Sequence, residues 1–566
     1  MMNRVLRLLT SEVRGIHSAV YVLAAFALLS SLLALLRDRL LAGAFGAGTE
    51  LDIYYAAFRI PDFLFVALGA LVSVYILIPE LARRGMNAQK DYIDTICAGF
   101  SILAILVGSV AALVAPRLLA YLFPQFAESG LLPTLVSLTR IMLLQPILLG
   151  FSNIFAAITQ TKYRYILYAS SPLFYNFGII FGITVLYPMF GLSGLAWGVV
   201  VGAGLHAGIQ IPSIFSDGFF RRLPRLGDIG LLFRTAAVSV PRALALSMNQ
   251  VTFIGLTALA GMLAVGSISV FMFAFNLYSV PLAIIGASYS VAAFPALALS
   301  LSKGRQSEFI EDIATAARHI FFWSLPATAL IIVLRAHIVR VILGSGAFDW
   351  TDTRLTAASL AMLSLALVGQ GLMLLLVRGY YAAGRTFTPF LVSFGIALGT
   401  IGLGHILVRV MENAATLSFI QALLRVEDIS GSNVLALPIA YAVATLAGTM
   451  CLVFYFERRF RGFFAQIGRS FAEGIVAAFA GGAAAYATLA LIGPLAFSST
   501  LASVLTKGFS AGVAGMAVAG FAYALLGNRE FTETIAEIRG RLWRGFIKEE
   551  GGTEIVASAE EAAELK

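Results

Sequence analysis

The stretch RDRLLAGAFGAGTELDIYYAAFRIPDFL, residues 37–64, carries Arg37, Asp38, Arg39, Asp52, Arg59 and Asp62 among apolar neighbours. With the turn at GAGTE between two helices, Arg37 lies eight residues before Phe45, or about 12 Å deep at 1.5 Å per residue. Arg59 lies seven residues beyond Asp52, about 10 Å deep on the same rise. Two antiparallel helices thus bring two arginines to a similar level. Asp38 and Asp62 are placed to neutralise them in part, and a first helix ending at Leu36 would instead leave Arg37 at an interface.

The surrounding chain is apolar from end to end. Of its 566 residues 59% are hydrophobic and 12% charged, and the mean hydropathy is +0.90. Such values lie outside the range of soluble domains and define an all-α polytopic membrane protein. A hydrocarbon core needs roughly 20 helical residues, and apolar runs of that length recur about fourteen times. Their centres are near Ala25, Gly69, Leu106, Leu148, Phe177, Gly202, Leu256, Ile285, Leu330, Met373, Gly399, Thr445, Ala480 and Gly515. The first run lacks an A-x-A-like cleavage site and reads as a retained span. Cys97 and Cys451 lie in or beside apolar runs and define no disulfide framework.

Basic residues alternate along the connections. Arg4, Arg7 and Arg14 precede the first span, and Arg83, Arg84 and Lys90 follow the second. Lys162 and Arg164 follow the fourth, Arg221, Arg222 and Arg225 the sixth, Lys303 and Arg305 the eighth, Arg385 the tenth, and Arg458, Arg459 and Arg461 the twelfth. The intervening connections, TELD, FAESG, GSGAFDWTD and RVEDISGSN, are acidic or nearly neutral. Positive charge favours the cytoplasmic side, so an even number of spans and two cytoplasmic termini are expected. The net charge of +9 is largely this topology signal and calls for no nucleic-acid partner.

An internal repeat is visible. AAFRIPDFLFVALGALVSVYILIPELA in the second span and FAFNLYSVPLAIIGASYSVAAFPALA in the eighth share A-F-[RN], a following proline, a central glycine (Gly69, Gly286) and a late proline (Pro79, Pro295). FAAITQT near Thr159 echoes YYAAGRT near Gly384. Duplication of an even-span unit predicts two pseudo-symmetric six-helix lobes with a path between them. The expected division is 1–225 for the first lobe, 226–430 for the second with its last helix extending to about 457, 458–527 for two final helices, and 528–566 for a cytoplasmic tail.

No phosphate loop, no H-E-x-x-H or G-x-S-x-G and no Cys/His metal spacing occurs, and His17, His206, His319, His337 and His405 are scattered. The expectation is a non-enzyme with no catalytic residue, no cofactor and no metal. Intramembrane ionisable residues mark functional paths. Besides Arg37 and Arg59, Arg242 follows Pro241 inside the seventh span, with Asn249 two turns on along the same face. An excess of guanidinium groups suits an anionic, phosphate-bearing head. Gly194, Gly198 and Gly202 form a stripe that permits close helix packing.

The pattern R-D-x-x-x-A-x-x-F-G-A-G-x-x-x-D followed by A-F-[KR]-x-P-[ND] resembles the amino-terminal signature of the MurJ (MviN) lipid II flippases, a branch of the multidrug/oligosaccharidyl-lipid/polysaccharide exporter superfamily. SNIFAAITQTKYRYILYASSPLFYN, GLAWGVVVGAGLHAGIQIP and RGYYAAGRTFTP resemble later segments of the same family, and the similarity covers about residues 18–410. The resemblance implies fourteen helices, two lobes, and a final helix pair forming a groove for a polyprenyl tail. It implies movement of undecaprenyl-diphosphate-linked peptidoglycan precursor to the outer leaflet by alternating access, in the bacterial cytoplasmic membrane.

In the resemblance Arg37 and Asp38 match a functional pair and Asp52 an acidic residue opening the second helix. Ser31, Phe65 and Asn276 stand where the family carries further arginines, and Arg59 and Arg242 are candidates to replace that charge. The candidate cavity residues are therefore Arg37, Asp38, Asp52, Arg59, Arg242, Asn249 and Asn276. The expected partners are a lipid-linked anionic glycan, membrane lipids and the cell-wall synthesis machinery, with the chain acting as a monomer. Two other readings stand beside this one: a flippase for another polyprenyl-linked oligosaccharide, and a cation-coupled drug exporter. The exporter would place unpaired carboxylates on the path, where this chain offers arginines.

Overall fold

The computed structural model describes residues 16–220, 222, 224–227, 229–493, 500–537 and 539. Long helical units follow one another along them. They are α1 Ile16–Phe45, α2 Thr49–Leu71, α3 Met86–Leu122, α4 Leu132–Thr161, α5 Tyr165–Phe190, α6 Leu192–Ser216 and α7 Ile229–Gly261. After these come α8 Ser267–Ser302, α9 Gln306–Ile342, α10 Trp350–Ser364 with Leu367–Ala382, α11 Phe387–Val410, α12 Ser432–Arg459, α13 Phe463–Ile492 and α14 Leu501–Leu525.

Eleven of these helices are long and apolar enough to cross a membrane, and α10, whose halves meet at 46°, makes twelve. With α1 at 30 residues and α7 at 33, the expectation of about fourteen spans is compatible with the structure, and each centre named above falls in a separate unit. The protein is thus a multi-span α-helical membrane protein. Arg4, Arg7, Arg14 and most of the tail lie outside the described residues; the tail begins as a helix from Arg529.

Local chemistry shapes the opening stretch. α1 continues through Arg37 and Asp38 to Phe45, so the arginine is held inside the helix rather than at its end. It stops at Gly46, which has φ +60° and lies so close to the α9–α10 loop that a Cβ would stand 2.7 Å from the Ala347 carbonyl oxygen. Pro61 has no N–H to offer the Ala57 carbonyl, and α2 breaks at Phe58 into Thr49–Ala57 and Arg59–Leu71. A second break at Val72–Ser73 precedes the helix Val74–Ala82. The related stretch of α8 is not broken; it carries a π-helical turn, Ala283–Ala287, just after Pro281.

The glycine stripe does what its spacing suggests. A Cβ on Gly198 would meet Gly182 Cα at 2.5 Å, and one on Gly178 would meet Gly202 Cα at 2.2 Å, so α5 and α6 touch backbone to backbone. We expect Gly198→Leu to part these helices: no flexible side chain can give way, so the cost should exceed the roughly 1–3 kcal/mol usual for overpacking. Monodisperse yield from detergent should collapse, and a normal elution profile would contradict the packing role.

Three apolar clusters organise the bundle. One joins helices from both halves of the chain, with Leu41, Tyr54, Leu119, Leu138 and Leu195 packed together with Leu256, Phe271, Val339, Leu360 and Leu437. At the other ends of the same helices the packing divides. Leu68, Leu81, Ile96 and Ile154 belong to one cluster; Leu297, Phe309, Ile320, Leu376 and Phe456 belong to another. The shared cluster joins the halves at one end, and away from it they are joined through α7. α7 packs on both α2 and α11.

α13 and α14 dock on α9. Their small residues permit close approach, since a Cβ on Gly481 would stand 2.8 Å from the Gly515 carbonyl oxygen. Beyond α14, buried Glu530 pairs with Arg318 of α9 at 2.9 Å and accepts from Asn528 and Ser470.

Candidate functional site

Arg37 and Asp38 are neighbours on α1, and their side chains form the centre of a polar network. Arg37 Nε and Nη2 both donate to Asp38 Oδ1, at 3.0 and 2.8 Å. Arg37 Nη1 donates to Asn176 Oδ1 of α5 at 3.1 Å, and Asn276 Nδ2 of α8 donates to Asp38 Oδ2 at 3.1 Å. The network therefore runs α5–α1–α8 and bridges the two halves of the chain. Asp38 is only 3% exposed, so its charge depends on these partners; removing one from a buried pair typically costs about 3–5 kcal/mol.

Arg59, 5% exposed, begins the second segment of α2. Its Nε donates to the Tyr55 carbonyl at 3.1 Å, Nη2 lies 3.9 Å from Asp62 Oδ2, and the guanidinium sits 6.0 Å from the Phe253 ring centre of α7. At 3.9 Å the Asp62 contact is an ion pair without a hydrogen bond, so this guanidinium keeps donors for a ligand. A cavity of about 130 Å³ lies between these groups. Arg37, Asp38, Arg59, Asp62 and Asn276 line it together with Tyr54, Tyr55 and Tyr175. Ligand pockets usually span about 300–1,000 Å³, so this conformation holds the site nearly shut.

Two carboxylates latch the end where the shared cluster lies. Asp52 accepts the Gly266 N–H at 2.7 Å, the Ser269 N–H at 2.8 Å and the Ser269 hydroxyl at 2.6 Å. Asp352 at the start of α10 accepts the Ala47 N–H at 3.0 Å. Ala347 N–H donates to the Gly43 carbonyl at 2.8 Å, and Arg39 Nη1 donates to the Val341 carbonyl at 2.7 Å, at the end of α9. Each carboxylate satisfies backbone donors contributed by the opposite half.

The structure thus brings four of the seven candidate residues, Arg37, Asp38, Arg59 and Asn276, to one cavity. Asp52 lies outside its lining, with both oxygens engaged in the latch. Asn249 is exposed on α7 and is absent from the lining. α7 is helical through Pro241, and the side chain of Arg242 lies outside the described residues. Ser31 is half-buried and bonds the Ala27 carbonyl, and neither it nor Phe65 lines the cavity. Asn176, which lies in the family-like segment with Pro172, and the three tyrosines are not among the cavity residues expected from sequence. Tyr54 and Tyr55 fall between Asp52 and Arg59, and Asn176 is four residues after Pro172; only the burial of a charged pair beside them marks their place.

Among the described residues no group of three or more His, Cys, Asp or Glu could hold a metal ion.

A membrane-spanning helical bundle with a charged cavity between its halves is the architecture of a membrane transporter. An inward-facing MATE family transporter of the MOP superfamily shares the fold with a TM-score of 0.62 at 14% identity, over 77% of this chain and 95% of that one. A structure titled lipid II flippase MurJ, inward closed conformation, gives 0.68 at 20% identity over 91% and 99%. The family model described as lipid II flippase MurJ matches residues 41–506, and the chain belongs to that family. A lipid II flippase MurJ of Burkholderia cenocepacia is 25% identical over 420 residues, 71% of this chain and 80% of that protein. A probable lipid II flippase MurJ of Thermotoga maritima is 27% identical over 382 residues, 67% and 76%.

Proposed function

We propose that this protein carries lipid II, the polyprenyl-diphosphate-linked peptidoglycan precursor, from the inner to the outer leaflet of the bacterial cytoplasmic membrane by alternating access. The observation that carries the reading is the α5–α1–α8 network around Arg37 and Asp38, set in a cavity that Arg59 also faces. A diphosphate entering there meets guanidinium donors held by the protein, and Arg37 can exchange Asn176 for phosphate oxygens without leaving its helix. Arg59 supplies positive charge where Asn276 has replaced a family arginine.

The two lobes of this reading are residues 1–225 and 226–430, the latter extending to about 457, with 458–527 and the 528–566 tail appended. Pseudo-symmetry is supported by a contact. Asn276 follows Arg59 by 217 positions, the interval that also separates Gly69 from Gly286 and Asp52 from Ser269. Asp52 and Ser269 are in direct contact, and residues exchanged by a twofold meet only beside its axis.

The latched end faces outward in this reading, because the loops bearing Arg83, Arg84, Lys162, Arg164, Lys303, Arg305, Arg458 and Arg459 lie at the opposite end, as cytoplasmic loops should. Both termini are then cytoplasmic. The chain works as a monomer beside the cell-wall synthesis machinery, and the membrane potential acting on the anionic head is a sufficient driving force.

Externalised lipid II in cells whose own flippase is shut off tests the cargo. Restoration by this chain is expected; its absence with properly inserted protein would transfer the cargo to another lipid-linked glycan.

The latch gives a separate expectation. Asp52→Ala removes three hydrogen bonds to one charge, each of about 1.5–3 kcal/mol, and leaves two buried N–H groups without an acceptor. The outer end should open more often. Modification of a cysteine placed at Met272, which lines the cavity, by an externally added impermeant maleimide should then quicken by about a hundredfold. An unchanged rate would remove Asp52 from the gate.

A further inference from the structure

A second cavity, of about 630 Å³, opens at the latched end between α9, α10, α13 and the segment that follows the short helix Ala414–Leu424. It shares no lining residue with the Arg37 cavity. Its walls are apolar, with Ile332, Leu423 and Leu489 among them, and its polar groups are Arg335, His337, Arg354 and Arg425 along with Trp350 and Tyr486. No carboxylate lines it.

The charge there is built in. Arg335 donates to the Ile332 carbonyl at 2.7 Å and to the Leu424 carbonyl at 3.3 Å, and Arg354 donates to the next carbonyl, Arg425, at 2.6 Å. Two guanidinium groups thus grip consecutive carbonyls. The residue so held, Arg425, has φ +60°, and its exposed side chain reaches Tyr486 of α13 at 3.4 Å.

Asp428 answers only Arg354, at 2.7 Å, and this hydrogen-bonded partner holds its carboxyl below the usual range. Arg335 and Arg425 form no ion pair among the described residues. Independently, His337 is 93% buried by its 7% exposure, lines the cavity, and has neither ring nitrogen hydrogen-bonded. Both facts ask for the same thing: an acceptor-rich anion between Arg335, Arg425 and His337.

This cluster also runs against the charge pattern of the other connections, where basic residues collect at the opposite end. Topology therefore does not explain it. Tyr486 and Leu489 of α13 line the cavity, and Tyr486 and Leu491 on the same helix are exposed.

We propose that this cavity binds the phosphate of an anionic membrane lipid, with the headgroup between Arg335, Arg425 and His337 and the acyl chains along α13. The inference is independent of the transport reading, since it needs only that the helices lie in a membrane.

Native mass spectrometry of the full-length protein, released from micelles doped with phosphatidylglycerol or with phosphatidylcholine of the same chains, tests it. Phosphatidylglycerol should be retained about tenfold more, and Arg425→Gln should remove that preference, as expected for loss of one charge-assisted hydrogen bond. Arg425 is exposed, so the variant should fold; Arg335→Lys, which keeps the charge but not the fork, should weaken retention less than Arg335→Gln. Arg409→Gln, outside this cavity, should change nothing. Equal retention of the two lipids, or a preference that survives Arg425→Gln together with Arg335→Gln, overturns the proposal. Thermal stabilisation by inorganic phosphate equal to that by the lipid overturns the membrane lipid as the source of the anion.

Discussion

Arg37→Ala is expected to cut lipid II externalisation by at least about a hundredfold while the protein still inserts, because two charge-assisted hydrogen bonds of roughly 1.5 kcal/mol each are lost to the head. In the resting structure the side chain does two jobs. It neutralises Asp38 and it reaches Asn176, so α5 is tied to α1 through the guanidinium and α8 through the carboxylate it neutralises.

The alanine variant leaves Asp38 buried with the Asn276 amide as its remaining side-chain partner, which raises the question of stability. Arg37→Lys answers it. A lysine keeps the charge beside Asp38 but cannot present a planar fork, so this variant should fold as well as the parent and transport only partially. The measurement is surface-exposed lipid II in flippase-depleted cells, normalised to protein in the membrane. Full transport by the lysine and alanine variants alike would remove Arg37 from the path and leave it a structural residue.

The second large effect is a reversible arrest. A Cβ built on Gly43, at the end of α1, would stand 3.6 Å from Ser345 Cβ in the α9–α10 loop, within the range for a disulfide. Gly43 is helical, so a side chain there meets no backbone strain, and its tightest contact is the Ser345 hydroxyl that the pair would itself replace. Gly43→Cys with Ser345→Cys, in a background where exposed Cys451 is serine and buried Cys97 is kept, should cross-link when oxidised.

With the latch covalently shut, the outer end cannot part. Transport should fall to background and return on adding a reductant. Oxidised protein that still transports would show that this end does not open during the cycle, and alternating access across it would fail as a mechanism.

These expectations show where the sequence was legible. The depth argument for Arg37 and Arg59 needed only the helical rise and a turn at GAGTE, and the two residues do line one cavity. The glycine stripe of α6 named its own role, though its partners, Gly178 and Gly182 of α5, appear only in the packing. Asp52 shows the limit. Its position at the start of the second span marks it as unusual, yet its partners are two backbone N–H groups and a serine hydroxyl more than 200 residues away, which carry no charged or motif-like signature in the sequence. The basic cavity at Arg335 and Arg425 was hidden for a related reason: its residues are separated by 90 positions and come together only because α9 and α10 hold the carbonyls of a distant loop.

Composition and periodicity alone determined that this is a many-span helical membrane protein, where its spans centre, and which way its charges alternate, because the bilayer penalises each polar group by depth irrespective of its neighbours. Family membership was legible as well, since the signature is carried by contiguous residues. Tertiary structure alone decided which charges face one another. Arg37 is satisfied by Asp38 and Asn176, Arg59 keeps donors turned to the cavity, and Asp52 bonds Gly266 and Ser269 of the other half, because hydrogen bonds form within about 3 Å and depend on how helices far apart in the chain are rotated against each other.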